Sequence, residues 1–335
     1  MLNSSPAAAE PAWDGRTVGE LFTERALAVP GTEAVVSRDG RRSYAELARD
    51  VDRVAAFLVA RGVGREVHVG VMLPRSYELV VSLLAVLKAG GVYVPLNPTL
   101  PDARLWPLLE DTRPAVLLSH RALAARPAPQ DGAAAPAAPV RADLEDLLDG
   151  AGGADGGPAA DRHAPRAAAY VIQTSGSTGR PKSVQVEMGS LVNLLRWCSD
   201  ACRIHAGSRV LQVIASSFDA SIRSYLTPLV TGATLVLLDD GPYDPAVLLG
   251  WIEREAVSVL NPSVPSMFYP VVELAAADGY RPLASLRTLA LGAESPDLGA
   301  LGPWIDSPGF RARILNVYGP TEAADIGCYA ELALR

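Results

Sequence analysis

The chain has 335 residues, enough for one large or two medium domains. Apolar residues make up 49% and charged residues 20%, so a substantial core can form. The net charge of −7 argues against general nucleic-acid binding, which needs a basic face.

The predicted elements follow in chain order. Residues 1–15 read as a flexible leader and 16–335 as one domain. The leader has no basic stretch followed by an apolar one, so no signal peptide is expected. Ser43-Tyr44-Ala45-Glu46 is a capping box. It opens a helix with Leu47, Val51, Val54, Ala55, Leu58 and Val59 on one side. Val67–Leu73 reads as a buried strand, Tyr77–Ala89 as a helix, and Val92–Leu96 and Val116–Ser119 as strands. The apolar run 79–87 is too short to span a bilayer. Residues 122–168 are rich in Ala, Pro and Gly and read as a flexible excursion with a short helix at 143–149.

The alternation then resumes. Helices are predicted at Leu191–Cys202, Ser221–Thr231, Pro245–Glu255 and Val264–Ala276. Strands are predicted at Val210–Ala215, Thr234–Leu238, Val257–Leu260, Thr288–Leu291 and Arg313–Val317. Strand–helix alternation argues for parallel sheets covered by helices, with ligands beyond the carboxyl ends of the strands. Three cysteines are too few for a disulfide framework, and none has a partner at zinc-like spacing. Cys198 and Cys202, four apart, read as buried free thiols. The expectation is a cytoplasmic protein with neither nucleic acid nor membrane as partner.

One stretch carries chemistry on its face: YVIQTSGSTGRPKSVQVE, residues 170–187. Gly176 and Gly179 let the backbone bring N–H groups close to an anion. Ser175, Ser177 and Thr178 add hydroxyl donors, and Lys182 adds a point charge. The spacing is not that of a Walker A loop. A phosphate site explains the pattern, and an ordinary hairpin turn explains the composition equally well. Further stretches stand out: SFDAS places Asp219 before an apolar helix, LALGAE ends a strand in Gly292-Ala293-Glu294, and NVYGPTEAAD runs from a strand into Thr321-Glu322.

Taken together, TSGSTGRPK, FDAS, GAE and NVYGPTE resemble, in this order, the motifs of adenylate-forming enzymes, specifically the adenylation domain of a nonribosomal peptide synthetase. The resemblance covers residues from about 17 to 335. It implies an α/β fold, the large N-terminal domain of the adenylate-forming fold, with mainly parallel sheets flanked by helices. It implies ATP and Mg²⁺ as cofactors. Thr174, Ser175, Gly176, Ser177, Thr178, Gly179 and Lys182 would form the loop over the ATP phosphates. Gly292, Ala293 and Glu294 would line the adenine site with Asn316, Val317, Tyr318 and Gly319. Thr321 would touch the α-phosphate, and Glu322 would hold Mg²⁺, a cation that takes carboxylate and phosphate oxygens. Glu322 is also an acid favoured at a helix start. Lys182, Thr321 and Glu322 are the catalytic candidates.

The same resemblance makes Asp219 the partner of a substrate α-amino group, with a helix N-cap as the lesser alternative. Ala220, Arg223, Pro262, Leu289, Leu291, Val317, Asp325 and Ile326 would line the pocket. If Arg223 and Asp325 pair, the pocket closes down to a small or medium side chain. If they do not, each is available to a polar substrate, and a polar side chain is the expectation. The implied activity is aminoacyl-AMP formation, with transfer to a phosphopantetheine thiol on a peptidyl carrier protein. An MbtH-like protein is a further implied partner. An acyl- or aryl-CoA ligase and a non-catalytic nucleotide-binding fragment are the alternatives. Ser183 and Met188 depart from the family's usual glycine and histidine. The family's small C-terminal domain, with its catalytic lysine, has no counterpart before Arg335, so a fragment with impaired adenylation is expected.

Overall fold

A computed structural model describes residues 15–121, 139–150, 164–174, 182–238 and 240–333. Two capping boxes set its first helices. The Thr17 hydroxyl accepts the Glu20 N–H at 3.2 Å while the Glu20 carboxylate accepts the Thr17 N–H at 2.8 Å. Ser43 and Glu46 repeat the exchange at 3.3 and 2.8 Å. Each box satisfies donors that a first helical turn leaves orphaned, a contribution of about 1 kcal/mol.

In chain order, α1 is Val18–Ala28, β1 Glu33–Ser37, β2 Gly40–Ser43, α2 Tyr44–Ala60, β3 His68–Met72 and α3 Tyr77–Lys88. Next come β4 Val92–Pro95, α4 Asp102–Thr112, β5 Val116–Ser119, β6 Val140–Asp143 and α5 Leu144–Leu148. Then follow β7 Ala168–Thr174, β8 Lys182–Glu187, α6 Met188–Cys202, β9 Arg209–Gln212, α7 Asp219–Thr231 and β10 Thr234–Leu237. The last elements are α8 Pro245–Arg254, β11 Val259–Ser263, α9 Pro265–Ala276, β12 Thr288–Leu291, α10 Leu298–Ile305, β13 Arg313–Tyr318 and β14 Cys328–Glu331.

The strands form two sheets. An eight-stranded sheet runs β14-β13-β12-β11-β9-β10-β1-β2, and a six-stranded sheet runs β6-β5-β3-β4-β7-β8. Pairing is parallel within each, except for β1–β2 and β13–β14 in the first and β7–β8 in the second. The expected α/β architecture of parallel sheets flanked by helices is therefore present. One apolar cluster joins the sheets. It takes Val35, Leu235 and Leu237 from the larger sheet, Val69, Val71 and Tyr170 from the smaller, and α1, α2, α3 and α7 between them. Every residue of α3 except Glu78 is buried, which its nearly unbroken apolar sequence requires. Its one cation, Lys88, is paired with Asp52 at 2.6 Å.

The remaining faces are covered separately. Helices α8, α9 and α10 pack on the outer face of the larger sheet, and α4 on that of the smaller. Cys198 and Cys202 are buried free thiols on α6, as expected, and Cys328 is exposed. Within the stretch predicted as an excursion, β6 pairs in parallel with β5 and α5 follows it. The strand escaped the sequence reading because Ala142 is its one buried residue, so it shows no apolar alternation. Residues 122–138 and 151–163, and the predicted leader up to residue 14, lie outside the described residues. Among the described residues no helix is long and apolar enough to cross a membrane.

Candidate active site

The carboxyl ends of β11, β12 and β13 bring most of the expected residues to one edge of the larger sheet, where parallel α/β sheets bind ligands. The smaller sheet contributes the β7–β8 hairpin. Thr174 and Lys182 face each other at its mouth, with the Thr174 hydroxyl 3.5 Å from the Lys182 carbonyl oxygen. Lys182 is exposed. Ser175, Gly176, Ser177, Thr178 and Gly179, which connect the two strands, lie outside the described residues. The base of the hairpin is tied down: the Ser183 hydroxyl donates to Asp111 on α4 and accepts from Gln173 at 2.7 Å. A glycine at 183 would lack both bonds. Strand β8 packs against the turn Thr321–Ala323, so Lys182 shares a locality with Thr321 and Glu322.

Backbone geometry dictates the residue types in the loops after β12 and β13. A Cβ on Gly292 would come within 2.9 Å of Val317 Cγ2, and Ala293 holds φ at 68°. Exposed Glu294 accepts the Ser266 N–H at 3.1 Å and its hydroxyl at 3.0 Å, which caps the start of α9. Asn316 is half-buried in β13 beside Leu291, Val317 is buried, and Tyr318 is 71% exposed. Beyond it Gly319 lies against the returning chain: a Cβ there would meet Gly327 N at 2.5 Å and Ile326 Cα at 2.7 Å. The expected helix start at Thr321-Glu322 is a single 3₁₀ turn, stopped by Ala324 and Asp325 at φ 57° and 77°. Thr321 and Ile326 are half-buried and Glu322 is exposed. Among the described residues no three His, Cys, Asp or Glu side chains converge as a metal site.

Helix α7 supplies the acidic end. Its N-cap is Phe218, so Asp219 does not take the capping position. Asp219 is the first helical residue, half-buried beside Ala220, whose N–H its carboxylate accepts at 2.8 Å. One turn further, Arg223 is 1% exposed and is paired through Nη1 with Asp325. Its Nε donates to Asn261 Oδ1 at 3.3 Å, and Asn261 Nδ2 lies 2.7 Å from Cys198 Sγ. Buried Pro262 follows Asn261 through a cis peptide bond. Burial pushes the Arg223 pKa down, and the neighbouring Asp219 acts against that. The Tyr170 hydroxyl is buried and has no hydrogen-bond partner among the described residues. Burial and then Asp219 push its pKa far above the usual phenol range.

Two expected pocket residues lie elsewhere. Leu289 and Leu291 pack with Phe268 and Trp304 beneath α9 and α10. Ala290 shares the opposite face with Val317, Cys198 and Cys202. Side chains alternate along a strand, so a shift of one residue exchanges the faces. The wall toward α6 is thus Ala290 with Gly292, the latter already expected at the adenine site; Ala290 and Asn261 are the residues the sequence reading missed. The closeness of Gly292 to Val317 emerges only once β12 and β13 are paired.

Two parallel sheets sharing a helical layer, with glycine-pinned loops at the strand ends, define the large lobe of an adenylate-forming enzyme. Comparison with known proteins agrees: the chain belongs to the AMP-binding enzyme family, which it matches over residues 22–334. It is 32% identical to tyrocidine synthase 3 of Brevibacillus parabrevis over 95% of this chain and 5% of that protein. It is 35% identical to an isonitrile lipopeptide synthase of Streptomyces coeruleorubidus over 90% of this chain and 20% of that protein. The AMPPNP-bound form of the nonribosomal peptide synthetase FmoA3 superposes with a TM-score of 0.87 at 28% identity, covering 99% of this chain and 34% of that one. The N-terminal subdomain of Klebsiella oxytoca NpsA, in complex with 3-hydroxyanthranilyl-AMSN, shares the fold with a TM-score of 0.82 at 23% identity. The chain spans a small part of the synthetases it matches.

Proposed function

We propose that the chain activates an α-amino acid as its aminoacyl adenylate, using ATP and Mg²⁺, for transfer to a phosphopantetheine thiol on a carrier protein. The observation that carries this reading is Asp219: a half-buried carboxylate at the head of α7, beside the strand ends. A carboxylate offers about four acceptor sites, so the bond from Ala220 N–H leaves capacity for an ammonium. An acid substrate without an amine needs no such group. The glycine-pinned loops suit the nucleotide: exposed Tyr318 offers a flat face for a purine, and Thr321 offers a hydroxyl to a phosphate. Lys182 and Thr321 would orient the phosphates, and in-line attack by the substrate carboxylate on the α-phosphorus expels pyrophosphate. Mg²⁺ binds through one or two carboxylates plus phosphate oxygens, so Glu322 alone fits it. The ion would neutralise phosphate charge.

The test is calorimetry with a panel of aminoacyl-sulfamoyl adenosines, stable mimics of the adenylate, against their des-amino counterparts. The amino forms should bind at least about tenfold tighter, ~1.4 kcal/mol. Asp219→Asn should erase the difference. Equal affinity for both forms would assign the site to an acyl- or aryl-CoA ligase. Binding of AMP alone would make it a nucleotide-binding module.

A further inference from the structure

We propose that this site selects α-amino acids with uncharged side chains, because the buried Arg223–Asp325 pair neutralises the two groups that could read a charged one. The inference rests on the reading of Asp219 as the partner of the α-ammonium and extends it to the other end of the substrate.

Arg223 and Asp325 are held from several directions. Arg223 is fixed by Asp325 and by Asn261, which in turn touches Cys198 on α6. Ala324 and Asp325 are two successive non-glycine residues at positive φ, a conformation that persists only when the surroundings impose it. Gly319 imposes it by letting the chain 325–327 return in backbone contact. The loop is thus shaped to deliver a carboxylate to a guanidinium that burial would otherwise leave uncompensated. The neighbouring wall, Ala290, Gly292 and Val317, brings no charge.

The charges then balance. Arg223 has two carboxylate neighbours: Asp325, hydrogen-bonded to it, and Asp219, one turn away on its own helix. With Asp219 opposite the substrate ammonium and Asp325 opposite Arg223, each charge has a partner. A carboxylate or ammonium on the substrate side chain would be buried without one, a penalty of about a hundredfold or more in affinity. The pairing also settles the alternative left open by the sequence: the two charges are engaged with each other rather than free for a polar substrate.

The aminoacyl-sulfamoyl adenosine panel tests this when it includes Ser, Val, Glu and Lys forms. The unsubstituted chain should bind the Ser and Val forms at least tenfold tighter than the Glu and Lys forms. Asp325→Asn, which keeps the shape and frees Arg223, should raise affinity for the Glu form at least tenfold. Arg223→Met should do the same for the Lys form. Circular dichroism melts report whether each variant folds, and the panel on the unsubstituted chain decides even if neither does. Glu or Lys forms binding as tightly as Ser and Val would overturn the selection while leaving amino-acid activation intact. Folded Asp325→Asn with no gain for the Glu form would show that the pair does not face the substrate. Failure of every aminoacyl form, with AMP still bound, would instead refute the activation reading.

Discussion

A methyl group on Gly319 would press on the carbonyl oxygen of Asp325, on Gly327 N at 2.5 Å and on Ile326 Cα at 2.7 Å. These are backbone atoms and cannot rotate away. Gly319→Ala should therefore displace the loop bearing Thr321, Glu322 and Asp325 rather than fit beside it. The expected cost is about 1–3 kcal/mol, the range for overpacking, with loss of adenylate-mimic binding. Urea denaturation and calorimetry read the two effects. An unchanged midpoint with unchanged binding would show that the loop is loose. Single residues also mark where the sequence misleads. Gly292 and Gly319 are visible as motif letters, but the contacts that forbid a side chain come from residues beyond the motif, Val317 for one and the returning chain 325–327 for the other. Leu289 and Leu291 look like pocket residues in one dimension, and β12 turns them to the opposite face.

Strong patterns in the elements were legible in the sequence, and weak ones were not. The capping box at Ser43 and the apolar run of α3 gave their helices directly. Helix α4 carries Pro107 inside it and buries only Leu105, Leu109 and Thr112, so its period is faint. Strands β6 and β14 are edge strands held by backbone pairing. No sequence signal marked the ion-pair network that ties β1, β2 and β9 to the end of α8. Glu255, 5% exposed, accepts Arg209 at 2.7 Å and Arg41 at 2.9 Å and also meets Arg254, while Glu33 binds Arg41 and Arg209. Burial raises the Glu255 pKa, and Arg254, Arg41 and Arg209 outweigh it, leaving the carboxyl below its ordinary value near 4.5. Arg209, against burial and with help from Arg41, lowers Glu33 likewise. Groups depressed on folding stabilise fully above the unfolded pKa and lose that contribution as pH falls through the folded one. Stability should thus drop below about pH 4.5. Glu255→Gln should cost about 2 kcal/mol at pH 7, since Arg41 and Arg254 stay half-solvated, and should flatten the acid limb. Urea midpoints from neutral pH down through the acid limb measure both, and parallel acid limbs for the two proteins would exclude the network as the cause.

At the scale of the whole molecule, strand–helix alternation predicted parallel sheets, but nothing in one dimension says that two sheets share a helical layer. That sharing decides how the protein unfolds. The cluster joining the sheets runs through α1, α2, α3 and α7, and α3 exposes no face to solvent. Neither sheet can lose this layer without uncovering the apolar face of the other, so both should unfold in one cooperative step. The aromatic probes lie on both sides: Trp251 and Trp304 pack on the larger sheet, and Trp106, within α4, packs on the smaller. Far-UV circular dichroism and tryptophan fluorescence should therefore report coincident transitions in urea. Leu84, 1% exposed near the middle of α3, tests the cause. Leu84→Ala removes buried methyl groups from the shared layer and leaves a cavity, a change that costs about 2–5 kcal/mol. Both probes should move to lower urea by the same amount. If the substitution shifts only one probe, or splits the transition in two, the sheets are separate folding units and the common core does not couple them.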